Sequence, residues 1–275
     1  MRLLLEPFKQ IKRLSYRLRA ELTDLSQLRG FVVFVGNPRS GTTLVRSILD
    51  AHPNIAISNE VNVIRRIKAG EDWTLVTGRI LANIQAFERR PEWNGYSYAI
   101  RKTHCPGDKR IQVLGDKKAA ATTYALLEDF SIADRLMAWS PAPLRFLHCV
   151  RHPLDVIATK TQRNRLNLEQ NIPVYYKLEE LAVRLGDQVG AENYQRIHLE
   201  ELVGDPRRVI QDVVQFLGLS VDEEYLQACQ AAVFDRPRQS RQAIEWPPQA
   251  LAEAQRQALQ HEHLKVYLDQ GQLSL

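Results

Sequence analysis

The chain has 275 residues, 44% hydrophobic and 25% charged, a balance that buries a sizeable core and is ordinary for a soluble globular protein. Three scattered cysteines, Cys105, Cys149 and Cys229, exclude a disulfide framework and give no zinc or haem spacing, so a reducing, cytoplasmic setting and a site without metal are expected. A formal net charge of +5 fits an anionic ligand, an anionic substrate or a membrane surface, and no basic–aromatic module points to nucleic acid.

The first segment, MRLLLEPFKQIKRLSYRLRAEL, has no h-region, and only Leu3, Leu4 and Leu5 run together, so no transmembrane span is expected there. Leu14, Leu18, Leu22 and Leu25 recur near helical spacing with Lys12, Arg13, Arg17 and Arg19 between them. This predicts a basic amphipathic helix within 1–29 that packs on the domain or, alternatively, lies along a membrane surface. Residues 31–35 (FVVFV) are apolar and β-branched, as buried strands of parallel sheets are. The loop GNPRSG follows, and Leu44, Val45, Ile48 and Leu49 then fall at helical spacing.

Further on, the pattern predicts a strand at 55–57 and helices at 60–68 and 73–90, the second stopped by Pro91. A loop-rich stretch at 91–110 precedes a strand at 111–114 that runs into Gly115, Asp116, Lys117 and Lys118, and a helix at 119–139. Residues 144–150 (LRFLHCV) read as another buried strand, with Pro153 opening a helix over 154–162. Helices at 175–189 and 206–217, the latter ended by Gly218, flank a strand at 194–199. A proline-bounded loop at 237–248 leads to an amphipathic helix at 249–268. Strands alternating with helices predict a single α/β domain, a P-loop-type parallel sheet flanked by helices.

Gly36 and Gly41 have the G-x-x-x-x-G spacing of a phosphate loop between strand and helix, with Thr43 at the Ser/Thr position. Backbone N–H groups at that helix start attract an anion, and the helix dipole adds to the attraction. The position of the P-loop lysine holds Thr42, however, and Arg39 is the cation inside the loop. A nucleoside triphosphatase needs that lysine and a Walker-B acid for Mg²⁺. The nearest candidate acid, Asp116, has Lys117 beside it, which argues against a magnesium site.

The run GNPRSGTTLVRSILDAHPNIAISNE resembles the start of the sulfotransferases that use 3'-phosphoadenosine-5'-phosphosulfate (PAPS), in the Pro-Arg-Ser-Gly-Thr-Thr branch that includes tyrosylprotein sulfotransferases and many bacterial enzymes. The resemblance implies that Arg39, Ser40, Gly41, Thr42 and Thr43 hold the 5'-phosphosulfate end of the donor. A second family element, an arginine followed eight positions later by Ser or Thr, binds the 3'-phosphate; Arg151 and Thr159 match it. A third, structural element matches at Glu200, Leu202, Val203, Pro206 and Phe216-Leu217-Gly218, with Leu199 where the family usually has tyrosine. The likeness spans about 31–219, the expected donor-binding core, and leaves 220–275 as a C-terminal lid loop and helix.

Sulfonate transfer to a hydroxyl needs a base and positive charge where the leaving phosphate forms, and no metal. By the resemblance Glu60 is the base, with His52 the alternative, and Lys117 stabilises the transferring sulfonate, with Lys118 in reserve and Arg39 sharing the charge. Where the tyrosylprotein enzymes carry peptide-recognising arginines, Asn62 stands at the first position and Arg66 at the second; Ile57 and Gly115 stand where their flanking cysteines are. The acceptor expected is therefore a small-molecule, glycan or lipid hydroxyl, walled by 71–110 and 237–248, with Ser240, Arg241 and Trp246 over the donor or in lid packing. His104, His198, His261 and His263 read as ordinary surface or core histidines. A P-loop small-molecule kinase and a non-catalytic nucleotide-binding or membrane-associated module remain the alternatives.

Overall fold

The computed structural model describes residues 2–93, 95–101, 110–270 and 272–275; Cys105 and His104 lie outside the described residues. Helix α1 (Arg2–Glu21) leads to strand β1 (Gly30–Val35), and the glycine loop carries the chain into α2 (Thr42–Asp50). Strand β2 (Ile55–Asn59) precedes α3 (Val63–Lys68) and α4 (Trp73–Arg89). A small ribbon, β3 (Glu92–Trp93) with β4 (Tyr96–Ser97), is followed by β5 (Val113–Lys117), α5 (Ala119–Glu128) and α6 (Ile132–Trp139). Then come β6 (Leu144–Val150), α7 (Pro153–Arg163), α8 (Leu168–Val189) and β7 (Tyr194–His198). Helices α9 (Leu199–Gly204), α10 (Pro206–Phe216), α11 (Glu223–Gln230) and α12 (Pro248–Ala258) precede a last ribbon, β8 (Leu268–Asp269) with β9 (Gln272–Leu273).

The central sheet is parallel in the order β2-β5-β1-β6-β7. Successive side chains of a strand point to opposite faces. Val32 and Phe34 therefore join α2, α10 and α11 in one core, while Phe31, Val33 and Val35 join α4, α5, α6 and α8 in another. Both faces of β1 are buried, which is why FVVFV is apolar without alternation. A third cluster packs α7, α8 and α12. Loops leaving β1, β5 and β6 emerge on one edge, the carboxyl edge where open α/β sheets bind ligands.

Several elements differ from the sequence pattern for local reasons. The 119–139 helix is broken in two because Asp129 Oδ1 accepts from both the N–H (3.0 Å) and the hydroxyl (2.6 Å) of Ser131. Helix α8 starts before Pro173, since Asn167 and Gln170 form a capping box that sets its first turn. The C-terminal helix ends at Ala258; the apolar period continues because Leu264 and Tyr267, on a 3-10 turn, fill the same core. Strand β5 is displaced toward its C-terminus and includes Lys117.

Helix α1 rests on α4, but not through Leu14 or Leu18. Ala20 is buried, Arg17 pairs with Asp72, Arg19 Nη1 donates to Gln85 Oε1 (2.5 Å), and the Arg79 guanidinium lies 4.7 Å over the Tyr16 ring. A Cβ at Gly78 would come within 1.8 Å of the Tyr16 carbonyl oxygen, so the two backbones touch only because residue 78 is glycine. Leu14, Leu18 and Leu22 remain exposed. Among the described residues, no helix is long and apolar enough to cross a membrane.

Candidate active site

The phosphate loop bends sharply between β1 and α2. Gly36 and Gly41 take φ of 102° and 79°, and Arg39, a non-glycine residue, sits at 73°. A Cβ at Gly36 would lie 2.5 Å from the His148 ring, and the Gly36 N–H donates to Thr123 Oγ1 at 2.8 Å. These contacts fix the loop against β6 and α5. Helix α2 begins at Thr42 with Gly41 as its cap, so its first N–H groups open toward the carboxyl edge.

A cavity of about 600 Å³ opens there. Arg39, Gly41, Thr42, Thr43, Arg151 and Thr159 all line it, so the two elements expected from sequence to bind a donor come together. Ser40 does not line it; its hydroxyl is buried with no hydrogen-bond partner among the described residues. Glu60, Lys117 and Lys118 line the same cavity. Among its described lining residues seven are Lys or Arg and one, Glu60, is acidic.

Glu60 is not part of a helix, contrary to the predicted span of 60–68. It sits at φ 69° in the turn between β2 and α3. Its N–H donates to the Lys117 carbonyl (3.0 Å), and its carboxylate accepts from Lys117 Nζ (3.2 Å) and from Lys118 Nζ. The register pairing Asn59 with Lys117 across β2 and β5 makes this meeting unavoidable. Burial alone would raise the Glu60 pKa; the two ammonium groups outweigh it and hold the carboxyl below its usual range. Burial pushes Lys117 down, and the charge of Glu60 offsets part of that.

Asp116 anchors this turn. Its carboxylate accepts from Ser58 Oγ (2.7 Å) and from the N–H groups of Val61 (2.9 Å), Asn62 (2.8 Å) and Val63 (3.1 Å). Both oxygens are thus occupied by the chain itself, which leaves Asp116 unsuited to a Walker-B role. Among the described residues, no group of His, Cys, Asp and Glu could hold a metal ion.

Arg151 is mostly buried at the end of β6. It donates to the Arg39 carbonyl (3.2 Å) and to the Arg238 carbonyl, and lies 3.7 Å from Asp155. Thr159 Oγ1 donates to the Asp155 carbonyl (2.8 Å), as helical threonines do. Asp155 also accepts from Arg241 Nη1 at 2.7 Å, and Trp246 Nε1 donates to the Arg241 carbonyl at 3.0 Å. Of the three lid residues named from sequence, Ser240 lines the cavity, while Arg241 and Trp246 hold the loop together.

His52, the alternative base, does not line the cavity: its ring meets the Ser220 carbonyl (2.9 Å) and the Asn54 N–H (3.1 Å). Arg66 lies 3.8 Å from Glu71 and Asn62 caps α3. Ile57 and Gly115 are register partners across β2 and β5.

The model of the sulfotransferase family matches residues 32–223. The chain belongs to the sulfotransferase family.

Protein-tyrosine sulfotransferase A of Caenorhabditis elegans is 24% identical over 210 residues, covering 71% of this chain and 52% of that protein. The chain thus spans about half the length of this curated relative. Among solved structures, the sulfotransferase domain from the Synechococcus PCC 7002 olefin synthase superposes with a TM-score of 0.55 at 19% identity, covering 86% of this chain and 96% of that one. The sulfotransferase domain from the curacin biosynthetic pathway does so at 0.53 and 19%, covering 85% and 98%. These likenesses establish a common fold.

Some features of this site carry no sequence signal. Trp93, Tyr96 and Tyr98 line one wall within the predicted 71–110 stretch, but Phe234, Arg236 and Arg163 join them from outside the predicted acceptor segments. Behind the loop, Asn37 Nδ2 donates to the buried Glu179 carboxylate (2.8 Å), which also meets His263 Nε2 (2.8 Å) and lies 3.2 Å from His148 Nε2. Burial would raise Glu179, but the two imidazoles hold it far below its usual range. His263 thus belongs to this buried network, while His198 meets the Tyr267 hydroxyl at 3.0 Å, which in turn donates to Glu200 (2.7 Å).

Proposed function

We propose that this chain transfers a sulfonate group from PAPS to an acceptor hydroxyl by in-line displacement, with Glu60 as general base. The observation that carries this reading is the cavity's charge. Among the described residues that line it, one carboxylate stands among seven cationic side chains, beside a phosphate loop that lacks the lysine of a nucleoside triphosphatase. A donor bearing phosphates at both 3' and 5' positions needs that many cations; a hydroxyl nucleophile needs the one base.

In this reading Glu60 takes the proton of the acceptor hydroxyl as its oxygen bonds to sulfur. The bond from sulfur to the 5'-phosphate oxygen breaks, and Lys117 and Arg39 stabilise the charge left there. The α2 N-terminus with Thr42 and Thr43 holds the 5' end, and Arg151 with Thr159 holds the 3'-phosphate. As Lys117 turns toward the sulfonate, Glu60 loses one of the cations that depress its pKa, and its basicity rises when the proton is due. Segment 220–275, which supplies Phe234, Arg236, Arg238 and Ser240 to the cavity, serves as lid over the core at 31–219. The aromatic wall of Trp93, Tyr96 and Phe234 suits the apolar part of a small-molecule, glycan or lipid alcohol.

Thermal stabilisation by 3'-phosphoadenosine-5'-phosphate, compared with ADP and ATP with and without Mg²⁺, tests the donor. The bisphosphate is expected to raise Tm most, without metal; a preference for ADP overturns the assignment. Glu60→Gln is expected to lower turnover by about 10²-fold or more while bisphosphate binding is kept. Unchanged turnover removes Glu60 as base.

A further inference from the structure

Helix α1 carries an apolar face that the protein body does not cover. Phe8, Ile11, Leu14, Leu18 and Leu22 recur at steps of three and four, so they share one side. They are 73%, 66%, 67%, 53% and 77% exposed. The opposite side is the one seated on α4, through Tyr16, Ala20 and the polar contacts of Arg17 and Arg19. Isolated exposed leucines need no explanation, but four apolar side chains in succession along α1, with Leu22 just past its end, form a continuous apolar strip. Within residues 8–22 this strip is accompanied by Lys9, Lys12, Arg13, Arg17 and Arg19, against a single acid, Glu21.

We propose that this face docks the protein on an anionic lipid surface. An interfacial helix has this composition: apolar side chains enter the boundary between headgroups and acyl chains, and basic side chains meet lipid phosphates. Charge decides between occupants. Arg17 and Arg19 are engaged on α4, but a second copy placed against the strip would still bring Lys12 and Arg13 up to the same two residues, whereas an anionic bilayer supplies the opposite sign. The α4 seat holds the helix with its apolar strip outward, so the ordering that interfacial helices undergo on binding is already done.

The test uses the full chain and large vesicles of phosphatidylcholine, alone or with about 30% phosphatidylglycerol, in a co-sedimentation assay at low and high salt. Binding to the anionic vesicles is expected to be about tenfold or more tighter than to neutral ones and to weaken with salt. Leu14→Asp/Leu18→Asp is expected to lose vesicle binding about tenfold or more, and Lys12→Glu/Arg13→Glu to lose the anionic preference. Both double variants are expected to keep the wild-type Tm and turnover in solution, since none of these residues lines the cavity. Failure to sediment with anionic vesicles overturns the proposal, as does vesicle binding that survives Leu14→Asp/Leu18→Asp. A concentration-dependent dimer abolished by that variant, with vesicles left bare, assigns the strip to a second copy and also overturns it.

Discussion

Asp116 holds in place the backbone that carries Glu60. Its two carboxylate oxygens accept from the three consecutive N–H groups of Val61, Asn62 and Val63, the residues directly after Glu60. Glu60 and Asn62 both sit at positive φ, and this clamp is what keeps two non-glycine residues there. Asp116→Asn would turn an N–H₂ group toward at least one of those donors and leave it unpaired, at a loss of about 1–3 kcal/mol. The expected outcome is a kcat reduced about tenfold or more with bisphosphate affinity nearly unchanged, read by steady-state kinetics and calorimetric titration. Wild-type kcat in this variant would show that the turn holds its shape without the clamp.

Arg151 presents a planar fork that touches two carbonyls, those of Arg39 and Arg238, and lies beside Asp155. Arg151→Lys keeps the charge and loses the fork. Affinity for 3',5'-bisphosphates is expected to fall about tenfold or more, while 5'-monophosphate affinity changes little. Equal losses for both ligands would mean that Arg151 acts on the loop as a whole rather than on the 3'-phosphate.

The sheet was legible in the sequence because β1 is an uninterrupted apolar run and β6 a mostly apolar one, broken by Arg145 and His148, and the phosphate loop because its glycines and Thr43 fall at fixed spacing. Family likeness named Glu60 and Lys117 for separate roles, and their ion pair had no sequence signal. The two lie 57 residues apart, and the register of β2 on β5 joins them. What stayed hidden depends on long-range packing. Periodicity found helix α1 but not which face it would bury, because its contact rests on Gly78 and polar pairs rather than on Leu14 and Leu18. Asn37 and Glu179, separated by 142 residues, give no local pattern that couples them.

His152 follows Arg151 and is buried, and neither ring nitrogen has a hydrogen-bond partner among the described residues. Burial, then the charges of Arg241 and Arg151, push its pKa down to about 3. The folded state therefore holds it neutral, while the unfolded chain protonates near pH 6.5. Its contribution is complete above that value and is lost as pH falls toward the folded pKa, at about 1.4 kcal/mol per pH unit. Between pH 6.5 and 5, wild type is expected to lose about 2 kcal/mol more than His152→Gln, measured by urea unfolding. Parallel losses in the two proteins would show that His152 takes up its proton without unfolding.

Arg39 sits at φ 73°, where a side chain costs about 1 kcal/mol or more relative to glycine, and its guanidinium feels the like charge of Arg163. At this position durability and reactivity pull in opposite directions. Arg39→Gly is expected to raise Tm by a few degrees while abolishing productive donor binding. Selection for heat resistance alone would therefore erode the phosphate loop at this arginine, and the residue persists at a standing penalty to the fold.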